Sequence, residues 1–315
     1  MVKFNTPAIF LLGPTASGKS DLALNIADSY PVEIVSVDSA MVYRDMDIGS
    51  CKPSKEEREK FKHHLVDILL PNEDFDLGVF LKFLDSAMEE IQSKQKIPLF
   101  VGGSMMFQSI LIDGFHNFPS SENLKDKLEA EYKEYGLEHM QKKLKMKDHE
   151  TYNTVDIQNP RRILRSLEII QLTKQKLSRL KKQEKVKPFQ SDQIFVIEIN
   201  DHKNFLHEKA EKRIDFILNQ GFVRELEDVY YKYNLNMHSH SMQAINYKQY
   251  LPYINGKKTL KECTEDAFRA TKVLVKSQQT WLKKLNKDTQ LQCSDRNIRK
   301  KISATIDTYL RSIKI

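Results

Sequence analysis

Over its first hundred residues the chain alternates compact apolar runs with stretches whose apolar positions recur every three or four residues. Residues 8–12, 33–37 and 97–101 are continuous runs rich in aliphatic and β-branched side chains, short enough to be strands buried on both faces. Between them, residues 20–30 and 77–92 have the spacing of amphipathic helices. Strands separated by helices predict βαβ units and a parallel sheet. Residues 193–199 read as another strand of that sheet.

The pattern changes after residue 115. Residues 116–187 are highly charged, helical in spacing and short of strand signals, so they are expected to be a helical insertion into an α/β core formed by residues 1–115 and 188–315. The end of the insertion, residues 174–187, alternates many lysines with few apolar residues, which predicts a solvated helix or mobile linker. Beyond it, residues 208–233 (interrupted at Gly221) and 260–285 again read as helices.

The composition is that of an ordinary globular protein, and no apolar run is long enough to cross a bilayer, so no membrane partner is expected. The first residues run straight into a strand without a signal-peptide pattern, and Cys51, Cys263 and Cys293 are too widely spaced for a metal-ligand set. Both point to the cytoplasm. A net charge of +7 favours a polyanionic partner, with nucleic acid foremost.

Gly13, Pro14, Thr15, Ala16, Ser17, Gly18, Lys19 and Ser20 spell G-x-x-x-x-G-K-S between a predicted strand and a predicted helix. That is the setting of a phosphate-binding P-loop. Its amides and the helix N-terminus attract phosphate oxygens, Lys19 neutralises charge, and the Ser20 hydroxyl suits Mg²⁺. The second strand runs out into Asp38, at the carboxyl end where open α/β sheets bind ligands. Position alone leaves Asp38 as a general base, a magnesium ligand or a helix-capping residue. The adjacent His63 and His64 lack a ligand partner at suitable spacing and read as structural.

Eight ordered blocks carry a wider resemblance: GPTASGKS (13–20), VDSAMVYRDMDIGSCKP (37–53), HHLVDI (63–68), VGGSMMF (101–107), NPRRILRSLEI (159–169), RIDFILNQGF (213–222), QAINYKQ (243–249) and ATKVLVKSQQTW (270–281). Together they resemble the bacterial tRNA dimethylallyltransferase family (tRNA isopentenyltransferases) over nearly the whole chain. The resemblance implies a P-loop NTPase-like parallel sheet flanked by helices, with the insertion touching tRNA. It also implies a monomer that transfers a dimethylallyl group from dimethylallyl diphosphate. The acceptor would be N6 of adenine 37, beside the anticodon of tRNAs reading codons that begin with U.

By the same resemblance the P-loop grips the donor diphosphate, although it is commonly labelled an ATP site, and Mg²⁺ assists. Asp38 is the general base, Ser104 of the Gly102-Gly103-Ser104 element helps place the flipped base, and Arg213 reaches the diphosphate. The tRNA contacts implied are Asp38, Ser39, Ala40, Met41, Ser104, Lys125, Arg161, Arg162, Ile163, Leu164, Arg165, Gln243, Ala244, Ile245, Asn246, Tyr247 and Lys248.

Several positions depart from the family pattern. Ser104 stands for threonine, Asn246 for a glycine, and Lys272 and Ser277 for arginines. Asparagine tolerates positive φ second best, Lys272 loses the arginine fork, and Ser277 loses the charge. On helical spacing, Asn159 and Pro160 start a helix whose Ile163, Leu164, Leu167 and Ile170 face inward, with Arg161 and Arg165 outward. Similarly Ala267, Ala270, Leu274 and Trp281 are expected inside the late helix, with Lys272, Lys276 and Lys283 outside. Two rivals use the same features: a P-loop kinase of a small molecule or nucleoside, and a non-catalytic RNA-binding protein.

Overall fold

The structure is a computed structural model that describes residues 3–313. Its sheet is parallel throughout, with order β3-β2-β4-β1-β5-β6. The strands are β1 (Ala8–Leu12), β2 (Val32–Ser36), β3 (His63–His64), β4 (Ile97–Val101), β5 (Ile194–Asn200) and β6 (Thr289–Gln292). Four of them fall within a residue of the expected runs. The other two, β3 and β6, are too short and too polar to show as apolar runs.

Side-chain alternation sends the two faces of each strand to different cores. Phe10, Leu12 and Phe100 face Phe80, Leu84 and Phe107 of α3 (Leu77–Ser93) and α4 (Met105–Asp113). Ile9, Leu11 and Leu99 face Ile26 of α1 (Lys19–Ser29), with Ile302 and Ile306 of the C-terminal helix, Ile298–Ser312, on the same side.

A third core lies under the loop that follows Asp38. Tyr43 and Met46 of that loop pack with Phe222, Tyr247, Tyr250 and Ala267. A short helix, α2 (Lys55–Lys60), closes the loop with a capping box between Ser54 and Glu57.

Residues Asp113–Lys187 form a second compact unit. It holds α5 (Glu122–Lys147, broken at Gly136), α6 (His149–Thr154), α7 (Pro160–Thr173) and α8 (Leu177–Leu180). Leu128, Met140, Leu144, Ile163 and Leu167 make its own core. Residues 174–187, expected to be a solvated helix or mobile linker, are mostly exposed but anchored at one short helix. Leu177 and Leu180 are buried, and Asp148 accepts hydrogen bonds from the Ser178 N–H (2.8 Å) and hydroxyl (2.9 Å) as well as capping α6. Burial would raise the Asp148 pKa, but those bonds and the ones from Thr151 outweigh it and hold it near 2. The rest of the segment, including every residue of 181–187, is exposed.

After β5 the first unit continues with α9 (Lys203–Asn219), α10 (Phe222–Lys232), α11 (Tyr247–Ile254), α12 (Leu260–Leu282) and α13 (Ile298–Ser312). Gly221, at φ 91°, separates α9 from α10. No helix among the described residues is long and apolar enough to cross a membrane.

Candidate active site

The P-loop joins β1 to α1, and Gly18 enters the helix at φ 79°, a conformation that favours glycine. Lys19 is buried, and its Nζ donates to the Pro14 carbonyl at 2.7 Å. Burial drives its pKa down to about 7, and the Arg213 guanidinium pushes the same way against the pull of Asp38. A cavity of about 470 Å³ beside the loop is lined by Gly18, Lys19, Ser20, Lys209, Lys212 and Arg213. Its lining carries four basic side chains against one acidic one, Asp21. Arg213, from α9, donates through Nε to Cys51 Sγ at 2.8 Å, which leaves its two terminal amino groups for a ligand. Lys209, Lys212 and Cys51 are site residues that the sequence reading missed. Helical spacing from Arg213 back to Lys209 was the available signal for one of them.

Asp38 lies just past β2. Its Oδ1 accepts the Ala40 N–H at 2.9 Å and, at 3.4 Å, the Met41 N–H. Its Oδ2 accepts no hydrogen bond among the described residues and faces Gly103, where an added Cβ would lie 3.7 Å away. The same Cβ would come within 2.8 Å of Gln278 Nε2 and 3.9 Å of Thr15 Oγ1, and one at Gly102 would strike the Val37 carbonyl at 2.0 Å. Gly102 is therefore required by close approach to backbone, whereas a side chain at Gly103 would displace the end of Gln278. The Ser104 hydroxyl accepts the Ser39 N–H at 3.2 Å, joining the turn after β4 to the Asp38 loop.

Asp38 lines two further cavities. A small one of about 70 Å³ includes Lys19, Ser20, His63 and Arg213. The other, about 470 Å³, has an apolar wall of Phe75, Met105, Phe107, Ile214 and Ile217, and a polar rim from Ser104, Gln243, Asn246 and Ser277. Leu274, Gln278 and Trp281 of α12 complete it.

The loop after Asp38 is rigidly held. Glu225 accepts backbone N–H groups from Asp47, Ile48 and Gly49 and the Tyr247 hydroxyl, all within 3.0 Å. Asn246, at φ 74°, donates through Nδ2 to the Gly49 carbonyl at 2.9 Å. The asparagine that replaces glycine thus fastens α11 to this loop. Glu225 also escaped the sequence reading, because nothing in sequence marks an acidic residue as the cap of a distant loop.

The implied RNA-contact residues divide in two. Ser39, Met41, Gln243, Ala244, Ile245 and Lys248 are at least partly exposed, and Arg161, Arg162, Leu164 and Lys125 are so within the helical unit. Tyr247 and Ile163 are fully buried, so their side chains support the fold. Arg165 is also committed: it bonds buried Glu168 at 2.6 Å and the carbonyls of Pro119 and Phe118. Asn159 caps α7 through the Arg162 N–H, with Pro160 at the first helical position. On α12 the buried stripe is Cys263, Ala267, Thr271, Val275, Gln278 and Leu282, whereas Trp281 is 37% exposed at the cavity mouth. The expected register was therefore displaced toward Trp281.

His64, read as structural, bonds Glu33 at 2.7 Å and lies 3.8 Å from Glu90. These three are the only metal-like cluster among the described residues. Lys94 and Lys96 already neutralise Glu33, so a buried polar network describes it better than a cation site.

A family model described as IPP transferase matches residues 41–285, and the chain belongs to that family. Curated relatives called tRNA dimethylallyltransferase, from three strains of Coxiella burnetii, are 33% identical over 97% of this chain and 97% of their own. The tRNA isopentenylpyrophosphate transferase of Bacillus halodurans superposes with a TM-score of 0.69 at 26% identity, covering 99% of this chain and 100% of that one. The Staphylococcus epidermidis tRNA delta(2)-isopentenylpyrophosphate transferase gives 0.66 at 28% identity, with 96% and 99% covered. A eukaryotic dimethylallyltransferase acting on tRNA gives 0.84 at 23% identity, covering 98% and 80%, and shares the fold.

Proposed function

We propose that this chain is a tRNA dimethylallyltransferase, joining the dimethylallyl group of dimethylallyl diphosphate to N6 of adenine 37 in tRNAs that read codons beginning with U. The products are N6-(dimethylallyl)adenosine and diphosphate. The observation that carries the reading is Asp38 Oδ2, open where the apolar cavity meets the cationic P-loop pocket. An exocyclic adenine amine is a weak nucleophile, since its lone pair is delocalised into the ring. As its nitrogen bonds to the allylic carbon, Asp38 takes the amine proton. The bond from that carbon to the diphosphate oxygen breaks, and the leaving diphosphate keeps the electron pair. Lys19, Arg213 and the P-loop amides receive its charge.

Ser104 helps seat the adenine, which must leave its stack in the anticodon loop to enter the cavity. Ser20 is exposed at the first turn of α1, on the wall of the small cavity. A single hydroxyl fits Mg²⁺, which takes few protein oxygens and keeps water and phosphate ligands. When bound, the ion would lend further neutralisation of the diphosphate.

For the tRNA itself, Arg161, Arg162 and Lys125 of the helical unit are suited to phosphate contact, as are Lys248 and the at least partly exposed residues 39–41 and 243–246 of the first unit. Three unpaired cysteines suit a cytoplasmic setting. The test is incubation with unmodified tRNA and labelled dimethylallyl diphosphate, followed by nucleoside analysis. Label in N6-(dimethylallyl)adenosine supports the reading. ATP consumption without tRNA and no label in RNA would favour the kinase alternative.

A further inference from the structure

Gln278 takes part in no step of the transfer, yet it occupies a position where a glutamine is costly. It is 3% exposed, on the buried stripe of α12 between Val275 and Leu282. A buried side-chain amide destabilises the fold unless both its carbonyl and its amino group are paired. Both are paired. Oε1 accepts the Thr15 N–H at 2.8 Å, and Nε2 donates to the Gly103 carbonyl at 2.9 Å.

The two partners belong to different loops, the phosphate loop after β1 and the turn after β4. The next residue, Gln279, bonds Asn200 Oδ1 and the Asp201 carbonyl just past β5. Helix α12 is thereby pinned across the carboxyl ends of three adjacent strands. Gln278 also lies where Thr15, Asp38 and Gly103 converge. The Thr15 N–H is thus engaged, and the Ser17 N–H turns to the Pro14 carbonyl at 3.3 Å, so diphosphate is left the other amides of the loop.

We propose that Gln278 is a positioning residue, one that fixes the separation between the loop holding the leaving group and the turn seating the acceptor beside Asp38. The proposal rests on the transfer reading above. Reaction requires the amine and the allylic carbon to meet at roughly 3–3.5 Å, and a displacement of about 1 Å can slow a step on the order of 10²-fold.

The test uses the full chain with Gln278→Met, which keeps length and removes both bonds, and Gln278→Glu, which keeps the Thr15 bond and turns an acceptor toward the Gly103 carbonyl. Trp281, the only tryptophan in the chain, lines the same cavity and reports donor binding by its fluorescence. Single-turnover transfer at saturating tRNA and donor should fall about 10–100-fold in both variants, with donor affinity within about threefold of the parent. A purely structural role would lower the melting temperature without slowing the saturated step of the folded protein. A saturated rate less than about tenfold below the parent in either folded variant, or a loss confined to donor affinity, would overturn the proposal. If Gln278→Met fails to fold, Gln278→Glu decides by the same criterion. A parent that transfers no prenyl group would remove the transfer reading itself, whereas an active parent with unaffected variants removes only the role of Gln278.

Discussion

Two carboxylates five residues apart, Glu33 within β2 and Asp38 just beyond it, are put to opposite uses. Glu33 is 3% exposed and saturated: His64 bonds one oxygen, and Lys94 and Lys96 bond the other at 3.2 and 3.1 Å. Burial alone would raise its pKa, but the bonds from His64, Lys96 and Lys94 prevail and lower it. Burial also lowers the His64 pKa despite the neighbouring carboxylates, so at neutral pH a neutral imidazole faces an ionised carboxylate. Asp38 has one oxygen anchored by backbone N–H groups and the other open to the cavities. Saturation makes a carboxylate architectural, and an open lone pair on an anchored one makes it available for chemistry.

The largest expected effect tests that availability. Asp38→Asn should fold, bind both substrates near normally, and lose roughly 10²–10⁴-fold in single-turnover transfer. Full recovery on raising magnesium would turn Asp38 into a metal ligand and collapse the contrast. Ser104→Ala, losing one positioning hydroxyl, should cost less.

Lys19→Ala should weaken donor binding by about 10–100-fold while sparing tRNA affinity, measured by calorimetric titration. The parent offers a pH version of the same experiment. With its pKa held near 7, Lys19 is largely neutral by pH 8, and an arriving diphosphate favours its cation. Donor binding should therefore take up a proton above pH 7 and weaken as pH rises, seen as a buffer-dependent binding enthalpy that Lys19→Ala abolishes.

The Glu33 side of the comparison is a matter of stability. Glu33→Gln should leave saturated turnover within about twofold and lower the melting temperature by about 5 °C, as for a lost charged hydrogen bond. Both pKa values in the parent are lowered on folding, so the unfolded chain binds more protons as pH falls. Stability should decline below about pH 6.5 through His64 and again below about 4.5 through Glu33 and other carboxylates such as Asp148, and the variant should lose only the Glu33 share of the second decline. The smallest effect concerns the RNA grip. Arg161→Ala should reduce the log–log salt slope of tRNA binding by up to about one unit, while Arg165→Ala, which removes the cation bonded to buried Glu168, should show mainly in stability.

What could be read in the sequence follows from locality. The P-loop, β1 and β4 are written in contiguous residues, and their apolar runs match the strands. Asp38 was recognisable because a strand end next to a P-loop is a defined place in such sheets. Glu225, Cys51 and Gln278 were not, since each acts on backbone or side chains more than a hundred residues away. Helix α11 was hidden by Pro252 and by a start at an asparagine with positive φ. In residues 174–187 the lysines that dominate the composition are solvated as expected, but the anchoring by two leucines and a serine leaves little mark in the sequence.

The paired ends of the helical unit bear on how the chain assembles. Strand β1 finds its neighbour β5 only after some 180 residues have intervened, from Ala8 to Ile194. Closing so long a span slows folding, because its entropy is lost before any contact repays it. Phe115 and Val186 exchange two backbone hydrogen bonds, at 3.0 and 2.8 Å, that bring the ends of the intervening helices together. Once that unit has closed on itself, the stretch from β4 to β5 behaves as a short connection, and the sheet is completed by two modest closures in place of one long one.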